Sequence, residues 1–179
     1  MEVVSIILAA GKGKRMNSDL PKPMHKIAGK SLMNWLEDSL DELKVRKKIY
    51  VLGHQSEKLI KSIGTTDYVI QEPQLGTGHA VNLTKDKIKN HESIIIIAYA
   101  DTPFVPSDKI KQMISQIKNG YDISILGFLT SNPKGYGRVV KNGNEVIKIV
   151  EEVDTDDETK KINLCNSGIL AGRARDIYN

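Results

Sequence analysis

Two glycines and three cations follow an apolar run near the start of the chain, in the nonapeptide LAAGKGKRM. Gly11 and Gly13 lack a Cβ, so their backbone amides can approach a ligand closely. Lys12, Lys14 and Arg15 add positive charge that suits phosphate oxygens. We therefore interpret the segment as a loop that holds a polyphosphate. The alternative is an ordinary strand-to-loop turn whose cations are solvated.

Two familiar nucleotide-binding motifs are excluded by single positions. A dinucleotide fingerprint needs a third glycine where Met16 stands. A P-loop that ends at Gly29-Lys30-Ser31 needs a glycine at the position of Met24. Phosphate binding here would follow neither pattern.

Amide side chains and glycines are concentrated in the segment QEPQLGTGHA. Gln71 and Gln74 offer both a donor and an acceptor, which can match the edge of a nucleobase. Gly76 permits close approach of the backbone. A polar loop with Thr77 capping a helix is equally consistent with the letters. His79 is interpreted as a loop or helix residue rather than a metal ligand, because no second His or Cys lies at ligand spacing.

A carboxylate follows the most apolar strand of the sequence, in IIIIAYADTPF. Asp101 stands just before Pro103, which ends regular structure. Mg²⁺ is often held by one or two carboxylates together with substrate phosphates. Capping of the next helix is the alternative, but Ser107 and Asp108 lie closer to that helix and suit the role better. We therefore predict that Asp101 is a metal ligand.

Lys22 lies between Pro21 and Pro23, and the two prolines stiffen its loop. A stiff loop can hold a lysine where negative charge develops during a reaction. On composition alone, a surface lysine in a rigid connection is favoured.

Glu151 stands at the end of the predicted hairpin strand, and Asn166 begins the last predicted strand. A carboxylate and an amide together can bind the hydroxyls or acetamido group of a sugar. Taken alone, Glu151 belongs to an acidic segment that is typical of a solvated turn.

The pattern alternates between strands and helices, which predicts crossover units, a mostly parallel sheet and helices on both faces. An Asn142-Gly143 turn predicts a β-hairpin from Gly137 to Val150. The other predicted strands are Val3–Ala9, Lys48–Leu52, Tyr68–Ile70, Ser93–Tyr99, Asp122–Thr130 and Asn166–Ala171. The predicted helices are one capped by Ser31 and running to Leu43, one over Ser56–Ile63, one opening after QEPQLG, and one capped by Ser107.

Composition limits the class of protein. The chain has 179 residues and a net charge of +4, which is compatible with a phosphorylated small molecule or a nucleic acid. No basic stretch is interleaved with aromatics, which disfavours single-strand binding. No apolar run reaches membrane length, and Cys165 is the only cysteine, so we expect a reduced cytoplasmic protein without membrane partners.

Taken together, the motifs resemble the sugar nucleotidyltransferase family. They are most similar to the uridylyltransferase domain of bacterial bifunctional N-acetylglucosamine-1-phosphate uridylyltransferase/glucosamine-1-phosphate acetyltransferase. The segments that carry the resemblance are LAAGKGKRM, LPKPMHKIAGKSL, QEPQLGTGHA, YADTPF, GYGRVV, IVEEVDTDDE and NSGILA. The resemblance implies a three-layer α/β/α, Rossmann-like fold of the nucleotide-diphospho-sugar transferase type with an inserted hairpin. It also implies Mg²⁺-dependent transfer from UTP to N-acetylglucosamine 1-phosphate.

The resemblance assigns roles to individual positions. Arg15 and Lys22 would neutralise the triphosphate and pyrophosphate, and Asp101 would bind Mg²⁺. The substrate-binding positions are Leu8, Ala9, Ala10 and Gly11 for the nucleotide, Gln71, Gln74, Gly76 and Thr77 for uracil, Tyr99, Ala100 and Asp101 for the ribose and metal region, and Gly137, Glu151 and Asn166 for the sugar.

The sequence departs from the family pattern in two places. Ala100 replaces the glycine usual before the metal aspartate, and the chain ends at Asn179. We therefore expect a single nucleotidyltransferase-like domain over residues 1–179, truncated at its C-terminal end, without a β-helix acetyltransferase domain and inclined to form a homo-oligomer. A transferase for another phosphorylated metabolite, or an inactive relative that binds nucleotide, are the alternatives.

Overall fold

The computed structural model describes residues 1–11, 16–45, 47–53 and 56–179. They form two compact units, the first over residues 1–124 and 170–179 and the second over residues 125–169. The strands are β1 (Val3–Ala9), β2 (Lys26–Ile27), β3 (Lys30–Ser31), β4 (Lys47–Leu52), β5 (Tyr68–Ile70), β6 (Ile94–Tyr99), β7 (Ile123–Leu129), β8 (Arg138–Asn142), β9 (Glu145–Val150) and β10 (Leu164–Arg173). The helices are α1 (Leu32–Glu42), α2 (Ser56–Ile63), α3 (Thr77–Asn82), α4 (Ser107–Lys118), α5 (Asp157–Lys160) and α6 (Ala174–Ile177).

The first unit is built on a mostly parallel sheet, as predicted. The strand order is β5-β4-β1-β6. The end of β10 pairs with β6 and runs antiparallel to it. Within this sheet Leu8 of β1 aligns with Val51 on one side and Tyr99 on the other. The carboxyl ends of β1, β4 and β6 therefore meet at one edge, which is where open α/β sheets bind ligands.

Helices cover both faces of this sheet, which confirms the three-layer α/β/α arrangement. Side chains alternate along β1, so Ile6 and Leu8 point to the face that also buries Ala80 of α3. Ile7 points to the other face and is fully buried. Tyr50 of β4 is the partner of Ile7 and donates to Glu37 of α1, which places α1 on that face, and α4 contacts α1.

Of the two helix N-caps predicted from the sequence, the structure has one and not the other. Ser31 caps α1 as predicted, and its hydroxyl accepts from the backbone N–H of Asn34 at 3.1 Å. The prediction that Ser107 caps α4 is wrong, because the N-cap is Pro106 and Ser107 is already helical. The Ser107 hydroxyl instead donates to Glu42 at 2.5 Å, which diverts it from the helix end.

In the second unit, the predicted hairpin is confirmed as the antiparallel pair β8 and β9. Its turn lies one residue later than predicted, because Asn142 still pairs with Glu145 and the turn falls on Gly143 and Asn144. The strand predicted over Asn166–Ala171 extends at both ends to become β10.

Several short elements were not predicted. Two of them, the two-residue strands β2 and β3, pair with each other. The others are the 3-10 turns Lys22–Met24, Lys85–Lys87 and Glu152–Asp154 and the short helices α5 and α6. Each is too short to produce a hydrophobic period.

Among the described residues, no helix combines the length and the apolar character needed to cross a membrane.

Gly53 permits the close approach of β4 to the end of β1. A Cβ at this position would lie 2.6 Å from the backbone oxygen of Ala10 and 2.7 Å from Nε2 of Gln74. Both distances are shorter than real Cβ contacts, so any larger residue would push these segments apart.

We therefore predict that Gly53→Ala lowers the free energy of unfolding by about 1–3 kcal/mol, the usual cost of overpacking. Urea unfolding followed by circular dichroism measures this change. Gly78→Ala is the matched control, because a Cβ there meets nothing within 4 Å, and it should not destabilise the protein. Equal stability of the two variants would contradict the close approach at Gly53.

Candidate nucleotide site

A pocket of about 700 Å³ opens in the first unit at the carboxyl edge of its sheet. It is lined by loops that follow β1, β5 and β6 and by the 3-10 turn Lys22–Met24. The sequence-predicted residues that it brings together are Leu8, Ala9, Ala10, Gly11, Lys22, Gln71, Gln74, Gly76, Thr77, Tyr99 and Asp101. Met16, Pro23 and Ala80 also line the pocket and had not been predicted.

Ala100 does not line the pocket. Its side chain is fully buried, and its backbone N–H donates to the carbonyl of Leu8 at 2.9 Å. This hydrogen bond ties the end of β6 to β1. The position therefore supports the pocket rather than contributing a surface to it.

An ion pair between Lys22 and Asp101 stands in this pocket. The Lys22 Nζ lies 2.5 Å from Oδ2 of Asp101, and the two side chains are 41% and 29% exposed. Pro21 precedes the 3-10 turn that carries Lys22, while Asp101 lies two residues after the end of β6. Asp101 is not a helix cap, because α4 begins after Pro106. One cation and one carboxylate are thus available to a charged ligand.

The Asp101 carboxylate fits a divalent cation only if that cation brings other ligands with it. Among the described residues, no three His, Cys, Asp or Glu side chains cluster closely enough to hold a metal. A single carboxylate is the donor set expected for Mg²⁺ that takes its remaining oxygens from phosphates and water.

The amides of Gln71 and Gln74 fix the loop that follows β5. Gln71 is only 4% exposed, and its Nε2 donates to the carbonyl of Gly76 at 2.9 Å. Gln74 donates through Nε2 to the carbonyl of Ala10, at the end of β1. The two glutamines therefore hold the backbone of this loop against the pocket.

Thr77 and Tyr99 close one side of the pocket. Their hydroxyl oxygens are 2.9 Å apart. Gly76 is the N-cap of α3 and Thr77 is the first helical residue, so Thr77 does not cap this helix. Its hydroxyl is instead shared with the tyrosine.

Part of the predicted phosphate loop lies outside the described residues. This holds for Lys12, Gly13, Lys14 and Arg15. The polyphosphate role of the loop and the catalytic role of Arg15 stay predictions.

In the second unit, the three residues predicted to hold the sugar lie together. The backbone N–H of Asn166 donates to the carbonyl of Gly137 at 2.8 Å. The space beside Gly137 is filled by Glu151, whose Oε1 would lie 3.1 Å from a Cβ at that glycine. The Oδ1 of Asn166 accepts from Gly168 N–H at 2.9 Å, which orients the amide.

Arg138 anchors the neighbouring turn and had not been predicted. It is 2% exposed, and its Nη1 lies 2.8 Å from Oε2 of Glu152. The same guanidinium also donates to the carbonyl of Tyr136. Hydrogen bonding by Arg138 lowers the pKa of the Glu152 carboxyl. The signal in the sequence is an arginine at the start of an apolar strand, where a charge needs a partner.

Comparison with known proteins identifies similar chains. The profile of the MobA-like NTP transferase domain matches residues 5–160. A protein named bifunctional protein GlmU from Sphingopyxis alaskensis is 40% identical over 179 residues, covering 98% of this chain and 40% of that protein. The chain thus spans about two fifths of the length of such curated relatives. These matches confirm the resemblance that the motifs indicated.

Solved structures agree on the fold. A chain described as a glucose-1-phosphate thymidylyltransferase from Bacillus anthracis superposes with a TM-score of 0.83 at 17% identity, covering 97% of this chain and 72% of the other. HddC from Yersinia pseudotuberculosis complexed with GMP-PN gives a TM-score of 0.77 at 26% identity, covering 99% and 79%. The α/β fold of the nucleotide-diphospho-sugar transferase type is thereby confirmed.

The lowered pKa of Glu152 predicts a pH-dependent contribution to stability. The folded carboxyl stays ionised at lower pH than the unfolded one, so its contribution is present above the unfolded pKa and is lost as pH falls through the folded pKa. Glu152→Gln should therefore be less stable than the unmodified chain near pH 7, and the difference should vanish in acid. Urea unfolding between pH 7 and pH 3 measures it.

Glu158→Gln is the control for this experiment. Glu158 pairs with Lys161 at 2.6 Å, but both side chains are largely exposed, and such pairs contribute little. A pH-independent loss in Glu152→Gln, or an equal loss in Glu158→Gln, would contradict the role of the Arg138 pair.

Proposed function

The chain belongs to the MobA-like NTP transferase domain family, and from that premise we propose that it transfers a uridylyl group from UTP to N-acetylglucosamine 1-phosphate. The products are UDP-N-acetylglucosamine and pyrophosphate. The observation that supports this most is the pocket itself, in which the Lys22–Asp101 ion pair shares one cavity with two amides and the glycines of the sheet edge. In this proposal residues 1–179 act as one nucleotidyltransferase-like domain.

The reaction requires no protein nucleophile. An oxygen of the sugar phosphate attacks the α-phosphorus of UTP, and the bond from that phosphorus to the bridging oxygen of pyrophosphate breaks. Catalysis then consists of positioning and of stabilising charge on the phosphates. When it is bound, Mg²⁺ at Asp101 supplies Lewis-acid neutralisation of phosphate charge. Lys22 contributes a positive charge from the stiff turn after Pro21.

The Lys22–Asp101 ion pair suits a site that exchanges partners. Both side chains are partly exposed, and ion pairs of this kind contribute about 0–1 kcal/mol. Separating them therefore costs little when a triphosphate arrives. The ammonium then turns to phosphate oxygens, and the carboxylate becomes available to a divalent cation.

The acceptor is assigned to residues of the second unit. The Glu151 carboxylate and the Asn166 amide offer an acceptor and a donor to sugar hydroxyls and an acetamido group. Similarity to curated proteins named bifunctional protein GlmU supports this choice of acceptor. Because the chain covers about two fifths of those proteins, the proposal concerns nucleotidyl transfer alone.

We predict that the protein, incubated with UTP and Mg²⁺, releases pyrophosphate with N-acetylglucosamine 1-phosphate and with no other member of a sugar-phosphate panel. Asp101→Asn should abolish this metal-dependent release without changing the thermal unfolding temperature.

Lys22→Gln should lower kcat by roughly 10²–10³, as loss of one preorganised charge does at comparable sites.

Asp108→Asn is the matched control, since Asp108 pairs with Lys109 at 3.5 Å on the surface and does not line the pocket. Its rate should equal that of the unmodified chain. Pyrophosphate release with a different acceptor would replace the proposed substrate. UTP binding without release would assign the chain a nucleotide-binding role only, and full activity of Asp101→Asn would remove the metal assignment.

A further inference from the structure

Two neighbouring groups contact the side-chain amide nitrogen of Gln71. Its Nε2 donates to the carbonyl oxygen of Gly76 at 2.9 Å and lies 3.2 Å from Nδ1 of His79. The residue is 4% exposed and lines the pocket. A buried amide with two neighbours on its nitrogen has little freedom to rotate.

The chemistry of these neighbours decides which end of the amide points where. An amide nitrogen carries two hydrogens, whereas the amide oxygen can only accept. The Gly76 carbonyl is also only an acceptor, and His79 Nδ1 accepts when the ring proton is on Nε2. Turning the amide over would therefore place oxygen against oxygen at Gly76 and oxygen against a lone pair at His79.

The oxygen of this amide remains available to a ligand. None of the hydrogen bonds among the described residues uses Oε1 of Gln71. The Gly76 carbonyl accepts one hydrogen of Nε2, and His79 Nδ1 accepts the other when its ring proton is on Nε2. In that tautomer Gln71 presents an acceptor and no free donor. A nucleobase that meets it must bring an N–H.

We infer that His79 is a positioning residue that fixes Gln71 as an acceptor and thereby makes the pocket select bases with a hydrogen on the ring nitrogen of the pairing edge. Uracil N3–H meets this requirement, as do thymine N3–H and guanine N1–H. Cytosine N3 and adenine N1 carry a lone pair at the same place and face the amide oxygen unfavourably. The inference rests on the proposed function, because it requires the nucleotide base to occupy this pocket.

The contribution of His79 is separable from that of Gly76. The Gly76 carbonyl belongs to the backbone and is present in every variant. If Gly76 alone sets the orientation, the imidazole adds nothing to base selection. If both groups are needed, removing the imidazole leaves only the hydrogen bond to Gly76 to keep the Gln71 amide from turning over.

The test compares kcat/KM for UTP and for CTP, with N-acetylglucosamine 1-phosphate as acceptor, in the full chain. The unmodified protein should prefer UTP by roughly ten- to a hundredfold, the range set by one mismatched buried polar contact. His79→Phe should reduce this ratio about five- to tenfold, as loss of one hydrogen bond predicts. His79→Asn, whose amide can accept from Gln71, should keep more of the preference.

His91→Phe is the matched control, because His91 is exposed and lies outside the pocket. It should keep the ratio of the unmodified protein. His79→Leu serves the same purpose as His79→Phe should the larger ring prevent folding. The ratio of the UTP and CTP values of kcat/KM is informative because a general loss of folded protein lowers both values equally.

The outcomes separate the two proposals. Activity with UTP and an unchanged UTP-to-CTP ratio in both His79→Phe and His79→Leu would overturn the role of His79. Equal use of UTP and CTP by the unmodified protein would overturn the acceptor role of Gln71. Absence of pyrophosphate release with every nucleotide would instead count against the proposed function itself.

Discussion

The architecture of the first unit depends on β1 being paired on both sides by parallel strands. Its residues have no charge to solvate, and both of its faces are covered, so the strand is stable only inside a sheet. Parallel pairing then forces every connection to cross over and return to the same end. The loops after β1, β5 and β6 must consequently meet at one edge. The pocket is a geometric result of this pairing.

The charges in the pocket follow from the same arrangement. Asp101 stands at the end of a buried strand, and Lys22 reaches it from a turn stiffened by Pro21. Neither side chain is fully desolvated, so their attraction is weak enough to be replaced by stronger partners. The glutamines nearby are bound to backbone carbonyls and are thus held in place before any ligand arrives. Such preorganisation is what nucleotidyl transfer requires, since its catalysis is positioning and charge stabilisation.

Much of the fold could be predicted from the sequence where a pattern was long enough. The strand Val3–Ala9 and the helix Ser56–Ile63 match the structure at both ends. Shorter features were missed because they depend on contacts distant in sequence. Ser107 resembles a helix cap locally, yet its hydroxyl is bound to Glu42, which lies far away in sequence. Arg138 shows no local sign of its partner Glu152 for the same reason.

The most direct test of the account is a crystal structure of the protein with UTP and Mn²⁺, whose anomalous scattering locates the metal. We expect the ion on the Asp101 carboxylate and the triphosphate, with the Lys22 ammonium moved from that carboxylate to a phosphate oxygen. The uracil should lie against Oε1 of Gln71. A metal bound elsewhere, a nucleotide outside the pocket, or a Lys22–Asp101 ion pair left intact beside bound UTP would contradict it.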